Sequence, residues 1–370
     1  MAGDEPKERL ERFLEAVKAL NRGRWLVLTH DNPDPDAIAA ADILALLLRR
    51  LTGARATIAF GGIIGRAENQ QMVRQLHLRL SHVRHISWKH YAHFALVDTQ
   101  PQTGNNQLPE GIVPDLVFDH HPMRKATAAV PHADIRIDYG ATATIVGEHL
   151  LASGLDITRR SATALVYAIR SETQDFLRES AGPDKRLYDR LFPLVDKRAL
   201  AKIQTPRLPL SYFRNLHDAL ENLEGVDTLV ISHLREVEQP DIIPEVADLL
   251  LRLEGKTWSL CTGLYGERVY MSVRTTNPRA NAGRLVRRIL GRRGKGGGHG
   301  MLAGGWLAFP NSAAKSGPKT PEELQRLVAV RLARALRKSP DRIAPIEVGR
   351  PKPPADDDQP EEAGEEKRQG

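Results

Sequence analysis

The sequence predicts an α/β protein: a doubly wound, mostly parallel sheet joined by a helical connector to a second, smaller α/β domain. Short apolar runs alternate with longer segments of helical spacing, which is typical of parallel sheets covered by helices. This alternation is found up to about residue 171 and starts again near residue 225. A chain of 370 residues has room for two sizeable cores.

Periodicity assigns the elements of the first half in order. Apolar residues at helical spacing predict a helix over 6–21, and the apolar run at 25–29 predicts a buried strand. The elements expected after them are a helix over 37–51, a strand at 57–60, a helix over 67–78, strands at 94–97 and 116–118, and helices over 142–152 and 160–171.

Residues 172–215 are mainly helical in pattern but broken by prolines, and we interpret them as part of a connector. The elements expected beyond it are a strand at 226–231, a helix over 244–253, strands at 258–265 and 268–274 joined at Gly266, and helices over 281–290 and 321–337. The predicted division is an N-terminal helix (1–22), a first domain (23–175), a helical connector (176–224), a second domain (225–340) and a disordered acidic tail (341–370).

Composition predicts a cytoplasmic protein without a membrane anchor. The single cysteine, Cys261, excludes an intramolecular disulfide and fits a reducing compartment. The first residues carry charges of both signs, unlike a secretory signal, and the best apolar stretch, 37–48, is short and contains Asp42. The net charge is +7 although residues 355–370 are acidic, so the body is basic and suits an anionic substrate such as a nucleotide. Solubility alone would also explain that charge.

Metal-ligand residue types follow three of the predicted strands. His30, Asp34 and Asp36 follow the first, Asp98 follows the strand at 94–97, and Asp119-His120-His121 ends the strand at 116–118. The carboxyl ends of parallel strands meet along one edge of a sheet, so these side chains could converge. The first segment alone is equally typical of a turn and a helix cap; the three together predict a metal site.

Carboxylate and imidazole ligands without thiolates favour Mn²⁺, with Mg²⁺, Co²⁺ and Fe²⁺ as competitors. The carboxylates suffice for two divalent ions, which can lower the pKa of a bridging water and stabilise both attacking and leaving oxygens of a phosphoryl group. The pattern therefore predicts phosphoester hydrolysis by a metal-bridging hydroxide.

The order His-x3-Asp-x-Asp, then Asp, then Asp-His-His resembles the DHH phosphoesterase superfamily. The resemblance implies that the metals are bound by His30, Asp34, Asp36, Asp98 and His120. It implies that His121 contacts the scissile phosphate and that Asp119 supports its neighbours. A fourth motif of the family supplies one more Asp, and the matching stretch here, residues 168–176, has Glu172 at that position and Gln174 at a glycine position. We expect Glu172 to be the ligand, with Asp175 as a substitute.

A glycine-rich stretch, Gly296-Gly297-Gly298-His299-Gly300, resembles the Gly-Gly-Gly-His signature of the DHH-associated C-terminal domain. Glycines let backbone N–H groups approach an anion closely. The resemblance implies substrate binding by Gly297, Gly298, His299 and Arg274. Six basic residues and no acid lie between residues 284 and 295, which indicates either a phosphate-attracting wall or a solvated helix face. The histidines between residues 77 and 93 are expected to serve packing or the surface.

The motif set resembles the nanoRNase/pAp-phosphatase group, which cleaves very short oligonucleotides or removes a phosphate from 3′-phosphoadenosine 5′-phosphate (pAp). The expected partner is thus a nucleotide or short single-stranded RNA, held by the second domain and cleaved at the metals of the first. The sequence leaves the oligomeric state open, a homodimer being one option. Two alternatives remain: a soluble cyclic-dinucleotide phosphodiesterase, and a catalytically decayed, nucleotide-binding regulatory protein.

Overall fold

The computed structural model describes residues 6–20, 23–177, 182–291, 294–308, 318 and 320–349. Contacts divide the chain into two compact units, residues 1–208 and 209–370. The predicted connector is therefore shared: residues 176–208 belong to the first unit and 209–224 to the second. Among the described helices none is both long and apolar enough to cross a membrane.

The first unit contains a six-stranded, all-parallel sheet with the order β3-β2-β1-β4-β5-β6. The strands are β1 (Arg24–Leu28), β2 (Arg55–Phe60), β3 (Leu80–His82), β4 (His93–Val97), β5 (Leu116–Asp119) and β6 (His132–Ile135). This is the strand order of a doubly wound fold, in which the chain reverses direction across the sheet between β1 and β4. The predicted fold class is confirmed.

The helices of this unit are α1 (Pro6–Lys18), α2 (Pro35–Thr52), α3 (Ala67–Gln75), α4 (Thr142–Ala152), α5 (Arg159–Thr173), α6 (Gly182–Leu191) and α7 (Lys197–Gln204). They contribute to one core with Trp25 and Val27 of β1. Leu26 and Leu28 face a smaller core that is closed by short 3-10 turns at Val83–His85 and Trp88–His90. Both faces of the sheet are therefore buried, as uniformly apolar parallel strands require.

Local signals fix the helix that follows the first ligand segment. Asp34 caps α2 by accepting a hydrogen bond from the Ala37 amide at 3.0 Å, and Pro35 occupies the first helical position. Gly53 ends the helix in the left-handed conformation, with φ at 72°. The helix begins at Pro35, two residues before the predicted start, because proline is well suited to the first position after a capping residue.

The second unit contains a seven-stranded mixed sheet with the order β11-β12-β10-β9-β8-β7-β13, in which only β8 and β9 pair in parallel. Its strands are β7 (Leu223–Val226), β8 (Leu229–Glu236), β9 (Trp258–Tyr265), β10 (Arg268–Thr275), β11 (Gly294–His299), β12 (Leu302–Ala308) and β13 (Ala344–Pro345). β13 lies inside the predicted tail, whose residues 350–370 fall outside the described ones.

The helices of the second unit are α8 (Leu210–Glu221), α9 (Ile242–Leu250), α10 (Ala282–Leu290) and α11 (Pro321–Ala335). α10 and α11 bury one face of the sheet, and α8 and α9 pack on the other. α10 approaches β11 so closely that a Cβ on Gly283 would clash with the carbonyl oxygen of Gly298. Glycine is required there because no side chain fits between helix and strand.

Candidate metal centre

Three predicted ligand segments meet where the strand order reverses. β1 and β4 are parallel neighbours, and β4 also pairs with β5, so the residues after these strands emerge at one edge. Ligands of doubly wound sheets bind at this position. The structure places His30, Asp34, Asp98, His120 and His121 there: two sets, His30/Asp34/Asp98 and Asp98/His120/His121, each have ligand atoms within 4.8 Å of one another.

Asp98 belongs to both sets because its two oxygens face different histidines. Its Oδ2 lies 3.5 Å from His30 Nε2, whereas its Oδ1 lies 3.6 Å from His120 Nε2 and 3.7 Å from His121 Nδ1. Its φ is 57°, a left-handed conformation that is uncommon for non-glycine residues but that aspartate adopts more readily than most. One oxygen of this carboxylate is thus available to each ligand set.

The two aspartates of the first motif are held in different ways. Asp34 Oδ1 caps α2 and lies 3.9 Å from His30 Nε2, so this carboxylate serves a helix and faces the site. Asp36 is completely buried, and its oxygens accept the amides of Thr142 and Ala143 at 2.8 and 2.7 Å. Asp36 therefore caps α4 and is absent from both ligand sets.

Asp119 orients the histidine pair. Its Oδ1 lies 2.8 Å from His121 Nδ1 and accepts the His121 amide at 3.1 Å. Its Oδ2 accepts a hydrogen bond from Gln100 Nε2 at 2.7 Å. With both oxygens occupied, this buried carboxylate supports His121 from behind, as the resemblance implies.

The ring nitrogens of His120 are arranged as a metal ligand requires. Its Nδ1 lies 3.2 Å from the carbonyl oxygen of Tyr139, which fixes the proton on that nitrogen. Its Nε2 is buried and has no hydrogen-bond partner among the described residues. An orphaned imidazole nitrogen beside carboxylate oxygens is what a divalent cation requires of a histidine ligand.

Electrostatics point the same way. Burial, together with the charges of Asp98, Glu172 and Asp34, raises the pKa of Asp36 well above its ordinary value. Burial opposes protonation of His30, but the neighbouring carboxylates of Asp34 and Asp98 outweigh it and raise the pKa of His30. The carboxylates thus repel one another and attract cations, a combination that bound divalent ions would relieve.

Glu172 lies in the last turn of α5, close enough to influence the pKa of both Asp36 and His121. It is half-buried and belongs to neither ligand set. Asp175, the other carboxylate considered for the fourth motif, is exposed and forms an ion pair with Arg170. Among the two, Glu172 is the one that interacts electrostatically with the site.

Sequence patterns missed the residues that hold the ligands. Thr142 Oγ1 donates to Asp98 Oδ1 at 2.8 Å, and Gln100 Oε1 accepts from the Arg124 amide and Thr127 Oγ1, both at 2.7 Å. Gln100 directly follows Asp98-Thr99, and this adjacency is the signal that could have identified it.

In the second unit, the predicted substrate residues lie on β10 and β11. Arg274 is buried; its Nε donates to Asp248 Oδ1 at 2.7 Å, and its Nη1 donates to the carbonyls of Val273 and Ala303. Gly297 and Gly298 are paired with Gly304 and Ala303 of β12. The backbone of His299 ends β11, but its side chain lies outside the described part, as do Arg292 and Arg293.

The glycines of this motif have two structural settings. A Cβ on Gly296 or Gly298 would collide with backbone atoms of β12, and Gly298 has a φ of 145°. A Cβ on Gly297 would meet only Arg287 Nη1, at 3.6 Å. Gly296 and Gly298 are therefore required by packing, whereas Gly297 leaves an open surface.

Comparison with known proteins supports the fold. No family model matches the chain. An uncharacterized protein of Methanocaldococcus jannaschii is 34% identical over 288 residues, 77% of this chain and 58% of that protein. An A-adding tRNA nucleotidyltransferase of Geobacter sulfurreducens is 23% identical over 298 residues, 75% of this chain and 32% of that enzyme. The chain thus spans less than two thirds of either relative.

Among solved structures, an exopolyphosphatase-related protein from Bacteroides fragilis superimposes with a TM-score of 0.67 at 14% identity. The match covers 89% of this chain and 96% of that one. Similarity at this level of identity concerns the backbone. This chain therefore shares the fold of that exopolyphosphatase-related protein.

Proposed function

We propose that this chain is a DHH-type, metal-dependent phosphoesterase that hydrolyses short oligoribonucleotides, pAp or both. The observation that carries the proposal is Asp98, whose two oxygens face separate histidines at the point where the sheet reverses its strand order. A single carboxylate between two imidazole-containing ligand sets suits a pair of divalent cations. Since no thiolate is present among these ligands, Mn²⁺ is the preferred ion.

One cation would be held by His30, Asp34 and Asp98, and the other by Asp98 and His120. Asp36 and Glu172 are proposed as further ligands. When bound, such cations supply Lewis acidity and lower the pKa of coordinated water. Asp34 is already suited to this role, since its interaction with the neighbouring His30 outweighs burial and lowers its pKa to about 2. His120 is suited because Tyr139 fixes its tautomer.

His121 is proposed to stabilise charge on the scissile phosphate. Burial opposes its protonation, but the hydrogen bond with Asp119 and the charge of Asp98 prevail and raise its pKa to about 9. Without bound cations the ring is therefore protonated at neutral pH, and Asp119 sets its orientation. A fixed cationic donor stabilises negative charge that develops on phosphate oxygens during displacement.

Substrate binding is proposed for the second unit, through Gly297, Gly298, His299 and Arg274. Support comes from the open surface at Gly297 and from the glycine-histidine pattern itself. Because Arg274 is paired with Asp248, a contact between Arg274 and substrate requires that pair to open. His299→Ala should mainly raise KM, and an unchanged KM would exclude His299 from substrate binding.

The experiment that tests the proposal compares substrates. Purified protein with Mn²⁺ is incubated with pAp, a diribonucleotide, a longer RNA and a cyclic dinucleotide, and the products are separated. We expect turnover of pAp or the diribonucleotide, and its loss in Asp98→Ala and His120→Ala. The exposed His90→Ala is the matched control. Retained turnover in either site variant would contradict the assignment.

Two alternatives give different results in the same assay. A cyclic-dinucleotide phosphodiesterase would turn over only the cyclic substrate. A regulatory protein with a decayed site, an option raised by Glu172 in place of the usual Asp, would bind nucleotide without turnover. Variants of Glu172 separate a decayed site from a working one. If the wild type is inactive and Glu172→Asp restores hydrolysis, the site has decayed. If the wild type is active and Glu172→Gln lowers that activity, glutamate is functional at this position.

A further inference from the structure

One face of the second sheet carries an aromatic and basic row at its edge. Strand pairing places Lys295 of β11 opposite Trp306 of β12, and Trp306 opposite Tyr270 of β10. Directly opposed residues of antiparallel strands share a face, so these three side chains, here called the aromatic row, lie side by side. Lys295 is exposed, and Trp306 and Tyr270 are partly exposed.

The aromatic row begins where helical cover ends. Gly263 of β9 is the next residue in this row, opposite Tyr270, and a Cβ there would lie 3.0 Å from Ile243 Cδ1 of α9. α9 therefore covers the face over β9, and Tyr270 of β10 still packs against the core that α9 closes. Trp306 and Lys295 continue beyond this cover, toward edge strand β11.

Beside the aromatic row, two glycines, Gly297 and Gly304, leave the surface of the sheet without side chains. Gly297 and Gly304 are paired with each other and lie two residues from Lys295 and Trp306, hence on the same face. A Cβ on Gly304 would meet only Met271 O, at 3.4 Å, and one on Gly297 would meet only Arg287. Ser272, the next residue in this line, is buried, so the open part of this surface ends at Gly304. A planar ligand could thus approach the backbone.

Positive charge surrounds the same surface. The guanidinium of Arg268 lies over the Trp306 ring, 4.0 Å from its centroid, and Arg287 Nη1 lies above Gly297. Lys295 adds an ammonium group at the end of the row. Aromatic rings and guanidinium planes stack on nucleobases, and exposed cations contact phosphates.

We propose that the aromatic row binds single-stranded nucleic acid, with a base stacked on Trp306 and neighbouring phosphates bound by Lys295 and Arg287. A duplex is a poor ligand because its bases are stacked on one another and offer no free face. This inference rests on the proposed function in one respect: it takes the bound nucleic acid to be the substrate of the enzyme. Binding itself requires neither metal nor hydrolysis.

The test measures the binding of fluorescein-labelled triadenylate to the full chain by fluorescence anisotropy in EDTA. We expect Trp306→Ala to weaken binding about tenfold or more, the usual effect of removing one stacked ring. Trp306→Phe should retain most of the affinity, because an aromatic ring still stacks. Arg287→Ala and Lys295→Ala should each lower the slope of log affinity against log salt by about 0.7. Arg334→Ala, an exposed arginine of α11, is the matched control.

A second measurement is independent of variant stability. Bound triadenylate should quench tryptophan emission of the wild type and not that of Trp306→Phe, although the variant still binds. The inference is overturned if the wild type does not bind, if a duplex competes as well as a single strand, or if the quench survives in Trp306→Phe. If the chain binds triadenylate but shows no Mn²⁺-dependent turnover, the proposed function is overturned and this inference stands. If the chain shows turnover but Trp306→Ala binds triadenylate as tightly as the wild type, this inference is overturned and the proposed function stands.

Discussion

The side-chain amide of Gln100 donates to Asp119 Oδ2 at 2.7 Å, so a residue just after one strand fixes the carboxylate at the end of the next. The same amide accepts two hydrogen bonds from residues after the histidine pair. Gln100 is almost completely buried, and its polar atoms are all engaged. The orientation of Asp119, and through it of His121, thus depends on one neutral side chain.

Gln100→Glu should disrupt that arrangement. The change removes the donor to Asp119 and places a second acceptor beside it, so Asp119 loses its orientation and two buried carboxylates repel each other. Loss of such an outer partner typically lowers metal affinity by about 10- to 100-fold. Calorimetric titration with Mn²⁺ measures the effect. Gln102→Glu, an exposed change in the same loop, is the control, and equal affinities in both variants would refute the role.

Asp98→Asn should matter mainly when metal is present. Without metal the substitution relieves the repulsion between Asp98 and Asp36. It also removes the attraction of this carboxylate for His30 and His121. Because asparagine tolerates the left-handed backbone at this position, thermal stability should stay close to that of the wild type. With Mn²⁺ the wild type should gain stability, about 2.7 kcal/mol at 100-fold excess over the dissociation constant, and the variant should not.

Thermal unfolding with EDTA and with Mn²⁺ checks both expectations. Asp138→Asn, at an exposed aspartate, should behave as the wild type in each condition. A variant Asp98→Asn that Mn²⁺ still stabilises fully would show that Asp98 is not a ligand.

Thr142→Val should weaken metal binding without changing side-chain shape. Thr142 is completely buried, and its hydroxyl donates to the oxygen of Asp98 that faces His120. Valine leaves that oxygen without its donor, and we expect Mn²⁺ affinity to fall by about 10- to 100-fold. Thr142→Ser restores the hydroxyl and should restore affinity. If serine and valine behave alike, packing rather than the hydrogen bond would explain the effect.

The stability of the first unit should fall as the pH drops from about 6.5 to 4. Burial lowers the pKa of His132 to about 4, and its ring lies 6.0 Å from that of Phe13 and 5.8 Å from that of Phe118. In this interval the unfolded chain binds a proton that the folded chain does not, so protonation favours unfolding; below pH 4 both states are protonated.

His132→Phe removes this titration and should flatten that part of the profile while preserving an aromatic ring between Phe13 and Phe118. Urea unfolding at several pH values, followed by circular dichroism, measures the difference. A variant with the same pH dependence as the wild type would show that other groups control acid stability.

Local pattern sufficed to predict the strands of the first sheet's centre and the helices that follow them, because these segments are long or uniformly apolar. β3 and β6 escaped prediction. They are three- and four-residue edge strands with polar side chains, and only pairing with β2 and β5 makes them strands. The glycine-rich stretch also became a strand, since β12 supplies its partners.

The sequence alone determined which ligand types follow which strands, and hence that His30, Asp98 and His120 would meet, because parallel strands deliver their carboxyl ends to one edge. Only the tertiary structure decided how each carboxylate is used: Asp36 caps a helix that begins more than 100 residues later, Gln100 holds Asp119, and Asp248 holds Arg274. These hydrogen bonds join segments that no local pattern connects. For the buried carboxylates Asp36 and Asp119, the low dielectric of the interior strengthens them.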